Sequence, residues 1–203
     1  MNRRRALIAL LSLLLLAACQ RALFPPETVE QRFARWHRDH AAEAGAYQDW
    51  LASQGVAEVM PLSSLLRTSR RWQRCEAAEF AVPPQAEWAG ILPTLRLLRQ
   101  LQTEGLVDGR RIRSGWRDAH TNACSGGSTR SQHLRNRALD LDLDPAVAPE
   151  RLCGYWRRHG PALRMGLGFY STGHIHIDTA GFRTWGNDHT RRTSLCMQPP
   201  HSL

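Results

Sequence analysis

From Ala138 to Asp144 the chain reads Ala-Leu-Asp-Leu-Asp-Leu-Asp, with apolar and acidic residues in strict alternation. Successive side chains of a strand point to opposite faces. This period therefore puts Leu139, Leu141 and Leu143 on one side and Asp140, Asp142 and Asp144 on the other. A helix would mingle the two kinds. A fold that holds such a strand must cover its leucine face with a core and keep its carboxylate face for solvent or for chemistry.

The pattern before this strand is mostly helical. Val29, Phe33 and Trp36 recur at spacings of four and three in a helical stretch expected from Glu27 to about Ser53, with Gly45 as a candidate break. A second helical piece is expected from Leu62 to about Ala78. Pro83-Pro84 demands extended or turn backbone. Ile91, Leu95, Leu98 and Leu101 mark an amphipathic helix ending near Thr103, with Pro93 in its first turn. Beyond the Asp108-Gly109 turn, short extended segments dominate. These are Arg111–Ser114, then the alternating strand, then Gly166–Tyr170 and His174–Asp178. A long polar loop, His120–Arg130, and a helix from Pro149 to His159, stopped by Gly160-Pro161, lie among them. Helices first and strands later give an α+β class.

Candidate chemistry gathers on the later half. His133 precedes Asp140 by seven residues, and imidazole nitrogen and carboxylate oxygen both suit zinc. In His174-Ile175-His176 the two imidazoles stand two residues apart on a strand, so they face one space. One of them can ligate a metal while the other reaches a water bound to it. Two His and one Asp leave a coordination position open, which is the arrangement of a catalytic zinc. Such a zinc activates water and polarises a carbonyl, and the neighbouring imidazole can move the proton. Asp178 is a candidate to orient a ligand from behind, or to pair with an arginine such as Arg183. Asp142 and Asp144 read as solvated or capping groups. His120 and His189 are candidates for a second catalytic histidine, against the plainer reading of exposed loop histidines.

The order Ser114-Gly115-Trp116-Arg117, Ser131-Gln132-His133 with Ala138 and Asp140, and His174-Ile175-His176 resembles the zinc D-alanyl-D-alanine carboxypeptidases. These share the hedgehog/DD-peptidase fold with the D,D-dipeptidases of vancomycin resistance. The resemblance covers about residues 90–186. It implies a small antiparallel sheet carrying the zinc site, with an N-terminal helical extension. It assigns His133, Asp140 and His176 as Zn2+ ligands, His174 as the catalytic base, and Arg117 as the group that faces substrate and steadies the oxyanion. The implied substrates are D-amino-acid-containing peptidoglycan peptides. Asn136 departs from the pattern, standing where the family usually has glycine. Asn tolerates left-handed backbone better than most residues. A different reading of the same residues is a non-catalytic, metal-containing lipoprotein that binds cell wall or a partner.

The N-terminus reads as an export signal. Arg3, Arg4 and Arg5 precede an apolar run from Ala6 to Ala18, shorter than the about 20 residues a membrane-spanning helix needs. Leu16-Ala17-Ala18-Cys19 resembles the lipobox of bacterial lipoproteins, which makes Cys19 the lipidated first residue of the mature chain. With Gln20 rather than Asp next, the default destination is the outer membrane, on the periplasmic side. The expected organisation is a signal peptide over 1–18, a tether and helical region over 19–80, and a zinc peptidase-like domain over 81–203. The net charge is +9, carried by 27 arginines with no lysine. Nucleic acid is excluded as a partner by export. An acidic polymer such as the cell wall remains. Cys75, Cys124, Cys153 and Cys196 are left, none in a close pair. An even number in an oxidising compartment predicts two disulfides, with three pairings open.

Overall fold

The computed structural model describes residues 26–198, so the export signal and Cys19 lie outside the described residues. The chain divides into two units, Met1–Arg38 and Asp39–Leu203. The first holds the start of helix α1 (Val29–Asp39). Thr28 and Gln31 begin it reciprocally: the Thr28 hydroxyl accepts from the Gln31 amide at 3.2 Å, and the Gln31 side chain accepts from the Thr28 amide at 2.8 Å. This capping box satisfies donors that the helix itself leaves unpaired.

The second unit opens with α2 (Ala41–Ser53) and the single turn α3 (Leu62–Leu65). Next come α4 (Leu92–Thr103), β1 (Ile112–Ser114) and α5 (Ala119–Cys124). It continues through β2 (Ala138–Asp142), α6 (Pro149–Leu163) and β3 (Gly166–Phe169). It closes with β4 (His174–Asp178) and β5 (Arg183–Trp185). The class is α+β, with one five-stranded sheet in the order β1-β2-β4-β3-β5. All neighbours are antiparallel except β3 and β5, which run parallel. No helix among the described residues is long and apolar enough to cross a membrane.

The alternating sequence becomes two different sheet faces. Ile112, Leu139, Leu141, Leu167, Ile175 and Ile177 share one face and are buried. The other face carries Ser114, Asp140, His174, His176 and Asp178. On β3 this polar face has only glycine, and the pairing shows why. Gly166 lies opposite Asp178, and a Cβ there would stand 2.7 Å from its carboxylate. Gly168 lies opposite His176, and a Cβ there would stand 2.4 Å from the Trp185 ring. The two glycines make room for side chains of β4 and β5 to fold across β3.

Several elements differ from the pattern read along the chain. The first helical stretch breaks at His40, while Gly45 stays inside α2. One helical glycine costs only about 1 kcal/mol, and burial of Ala44, Tyr47 and Leu51 on the same helix outweighs it. The second helical piece is one turn long. After it the chain doubles back, with Arg67 bridged to Phe80 and the Thr68 amide donating to the Glu79 carbonyl at 2.9 Å. Those backbone groups are paired across a loop instead of along a helix. The start of the long polar loop is α5, because the Asp118 carboxylate caps it by accepting from the Thr121 amide at 2.6 Å. Helix α6 continues through Gly160-Pro161 to a left-handed end at Arg164. A Cβ at position 160 would lie 2.8 Å from the Phe182 ring, which packs there. Strand β5 was not anticipated; three residues carry too little pattern.

Two disulfides form, Cys75–Cys124 and Cys153–Cys196. The first ties the doubled-back loop to α5, and the second ties α6 to the C-terminal segment.

Candidate metal centre

Antiparallel pairing of β2 with β4 sets Asp140 directly opposite His176, with Asp142 opposite His174 and Ala138 opposite Asp178. Directly opposed side chains on one face meet at short range, so the register alone brings a carboxylate to an imidazole. His133 arrives from outside the sheet, on a tight helical turn over Gln132–Arg135. Ser131 begins that turn by accepting from the His133 amide at 3.3 Å. Asn136 ends it in left-handed backbone, φ 48° and ψ 46°. The residue that stands in place of the expected glycine thus adopts the conformation glycine would supply. Its side chain also donates to the Glu87 carbonyl at 3.2 Å and to the Tyr47 hydroxyl at 3.3 Å, fully within the protein.

Three ligand-type atoms converge. His133 Nε2 lies 3.1 Å from Asp140 Oδ1 and 3.1 Å from His176 Nδ1, and His176 Nδ1 lies 3.1 Å from Asp140 Oδ1. This is a near-equilateral triangle of two nitrogens and one oxygen. Ligand atoms around a tetrahedral zinc, each about 2.0–2.1 Å from the metal, stand about 3.3 Å apart. The donor set and its spacing therefore fit zinc. His133, Asp140 and His176 are also the one such His/Asp cluster among the described residues. All three are buried.

The atoms behind the triangle fix its protonation. His133 Nδ1 donates to the Gly115 carbonyl at 2.6 Å, which leaves Nε2 as a lone pair toward the cluster. Burial, reinforced by the nearby Arg117 charge, pushes His133 down to about 4. His176 Nε2 lies 2.9 Å from Asp178 Oδ2. Burial opposes a charge on His176, but its hydrogen bonds to Asp140 and Asp178 outweigh that and hold it at about 9. Burial likewise opposes ionisation of Asp140; the charges of His133 and Arg117 overcome this and keep the carboxyl well below the ordinary range. Asp178 takes both tasks read from the sequence. It receives His176, and it accepts from Arg183 Nη1 at 3.0 Å and Nη2 at 2.6 Å and from the Ala180 amide at 2.8 Å.

The Ser114-Gly115-Trp116-Arg117 motif is the frame on the other side. The Ser114 hydroxyl donates to the Thr68 carbonyl at 2.6 Å and accepts from Arg117 Nε at 2.8 Å. Arg117 Nη2 donates to Asp140 Oδ2, the oxygen turned away from the triangle. Arg117 thus steadies a ligand carboxylate, a contact the sequence reading did not foresee. Gly115 has no alternative, because a Cβ there would lie 2.3 Å from the Leu65 carbonyl oxygen.

His174 lies beside the triangle and half-buried. Its Nδ1 is 2.5 Å from the Thr172 hydroxyl, and its ring stacks on Tyr170 at 4.4 Å with an interplanar angle of 12°. Burial first of all pushes it down to about 4, so it is neutral at physiological pH and able to accept a proton. The two acidic residues that follow are taken up by arginines, although Asp142 lies opposite His174 on the same face and Asp144 lies just beyond the end of β2. Asp142 pairs with Arg113, and Asp144 pairs with Arg111 at 3.2 Å. His120 is held at 2.8 Å from the Cys75 carbonyl, while His189 reaches the cleft and meets the Tyr170 ring edge-on.

These groups open into a cleft of about 1060 Å³. Arg70, Arg71, Arg117, Arg130 and Arg183 line it, and Asp140 is its single acidic lining residue. Tyr170, Trp185 and the arginines of residues 70–71 escaped the sequence reading. The signal for Trp185 was Gly168 on β3, which is visible only once the strands are paired.

A family model described as Peptidase M15 matches residues 73–178, just over half of the chain. No curated protein and no solved structure was found to match.

Proposed function

The chain belongs to the peptidase M15 family, and we propose that it is a zinc-dependent hydrolase of D-amino-acid-containing peptidoglycan stem peptides, exported and lipid-anchored through Cys19 in the cell envelope, by default at the outer membrane. The observation that carries the hydrolase reading is the triangle of His133 Nε2, Asp140 Oδ1 and His176 Nδ1 with His174 beside it in an open cleft. A purely structural metal needs neither a neighbouring neutral imidazole nor access from solvent.

When bound there, zinc lowers the pKa of a water to about 7 and polarises a peptide carbonyl. The residues do the rest. His133, Asp140 and His176 hold the ion. Gly115, Asp178 and Arg117 keep those ligands oriented. His174, neutral and tethered to Thr172, takes the proton of the attacking water and delivers it to the leaving amine. The basic lining favours peptides that carry carboxylates, as stem peptides do. Arg117, held by Asp140 and Ser114, adds positive charge to the centre from behind the ligands.

The test is residues 20–203 prepared in an oxidising compartment and assayed for zinc and for action on purified muropeptides by mass spectrometry. One zinc per chain and release of terminal D-alanine are expected, with His133→Ala losing zinc and product, and His174→Ala losing product alone. Opened cross-links would make it an endopeptidase. Zinc at one equivalent with no cleavage of any muropeptide would support the binding lipoprotein instead.

A further inference from the structure

The cleft contains a hydrogen-bond donor that the functional reading does not use. Tyr170 directly follows β3 and His174 begins β4, and the two flank a tight turn closed by the Gly173 amide on the Tyr170 carbonyl at 3.0 Å. The Tyr170 amide donates to the His174 carbonyl at 3.1 Å, so the residues are cross-strand partners on the face that bears the ligands. That pairing produces the parallel stack of the phenol on the imidazole.

The orientation of the hydroxyl is set from the other side. Trp185 folds over Gly168, packs 5.2 Å from the His176 ring, and its Nε1 lies 3.2 Å from the Tyr170 oxygen. Indole N–H is a donor only, so the phenol oxygen accepts there. Its own hydrogen is left to be donated elsewhere, and the side chain lines the cleft. The phenol is thus linked through Trp185 to the His176 ring and shares the cleft lining with His133, Asp140 and His176. Burial raises its pKa above the ordinary tyrosine value, so it keeps its proton at neutral pH.

We propose that Tyr170 is a catalytic residue: its phenol O–H, aimed by Trp185, donates a hydrogen bond to the oxygen of the scissile peptide and stabilises the negative charge that develops there. No proton leaves the phenol. Water adds to the carbonyl carbon, the C–N bond breaks, and the proton removed from the water ends on the amine through His174. Tyr170 and His174 are stacked, so donor and base approach the same peptide group from adjacent positions. Arg117 is held behind the centre by Asp140 and Ser114, which leaves the phenol as a donor on the cleft side.

This inference rests on the hydrolase reading, and its test separates the two. Tyr170→Phe keeps the stack on His174 and the fold. It should lower kcat about 100-fold, the usual cost of one lost oxyanion donor. KM, zinc content and melting temperature should stay unchanged. Trp185→Phe keeps the ring against His176 but removes the N–H, and should give a smaller loss of kcat. A phosphinic dipeptide analogue, with its tetrahedral anionic centre, supplies a readout without turnover: Tyr170→Phe should weaken its binding by about the same factor. A wild-type protein that binds zinc but cleaves nothing overturns the hydrolase reading and this inference with it. A cleaving wild type whose Tyr170→Phe variant retains kcat and analogue affinity overturns this inference alone. A rise in KM without a fall in kcat does the same.

Discussion

The metal centre is assembled from two halves held by different means. Asp140, His176 and Asp178 sit on neighbouring antiparallel strands, and their register is fixed by the ladder and by the leucine and isoleucine face beneath it. His133, Arg117 and Ser114–Gly115 come from loops, or from a strand end, and are held by remote backbone. Leu65, Arg67 and Thr68 grip Ser114 and Gly115, while Tyr47 and Glu87 grip Asn136. A strand holds its residues through many small shared contacts. A loop holds them through a few specific ones, so single changes should act very differently in the two halves.

The largest effect is expected in the loop half, at Gly115→Ala. The added methyl would meet a carbonyl oxygen at 2.3 Å, and backbone has little freedom to give way. Overpacking of this kind costs about 3 kcal/mol, or about 6–12 °C in melting temperature for a chain of this size. The carbonyl of the same residue accepts from His133, so zinc affinity should fall with stability. Thermal melts of zinc-free and zinc-loaded protein check this. Equal melting of variant and wild type would show that the loop half is no less redundant than the strand half.

Asp178→Asn probes the strand half and should leave the fold standing while weakening the metal. Loss of a carboxylate behind a ligating imidazole costs about 10–100-fold in affinity. The pH dependence sharpens the test. His176 holds its proton up to about 9 in the metal-free protein. Zinc must displace that proton, so wild-type affinity should rise about tenfold per pH unit and level off near pH 9. Without the Asp178 charge, the proton is held less tightly and the plateau should begin at lower pH. Competition with a chelator across pH measures both. A pH-independent affinity would mean that the imidazole is not a ligand.

The same division explains what was legible in the sequence. Strand chemistry is local and periodic: Asp140 in the alternating segment and His174-Ile175-His176 both announce their shared face, and the structure brings them together as read. Loop chemistry is written in residues far apart. Nothing near Ser114 says that its hydroxyl reaches Thr68, and nothing near Asn136 points to Tyr47. The segment after Leu65 was misread as helix because apolar spacing cannot register a Cys75–Cys124 bridge or an Arg67 to Phe80 pairing. Trp185 was passed over because its position depends on Gly168, and two glycines in a strand say only that something approaches closely.

The smallest effect is expected at Tyr47→Phe, and it decides how far the loop half extends. Tyr47 is fully buried on α2, and its hydroxyl accepts from the Asn136 side chain at 3.3 Å. That amide keeps its second bond, to the Glu87 carbonyl, and the left-handed backbone of Asn136 is untouched. The loss should be about 1 kcal/mol, or about 2–4 °C, with zinc affinity unchanged. That outcome would make α2 a brace that raises the stability of the His133 turn without tuning its geometry. If Tyr47→Phe instead lowers zinc affinity as far as Asp178→Asn does, the turn is held so weakly that one buried hydroxyl positions a ligand. The helical region would then belong to the metal centre as fully as the sheet does.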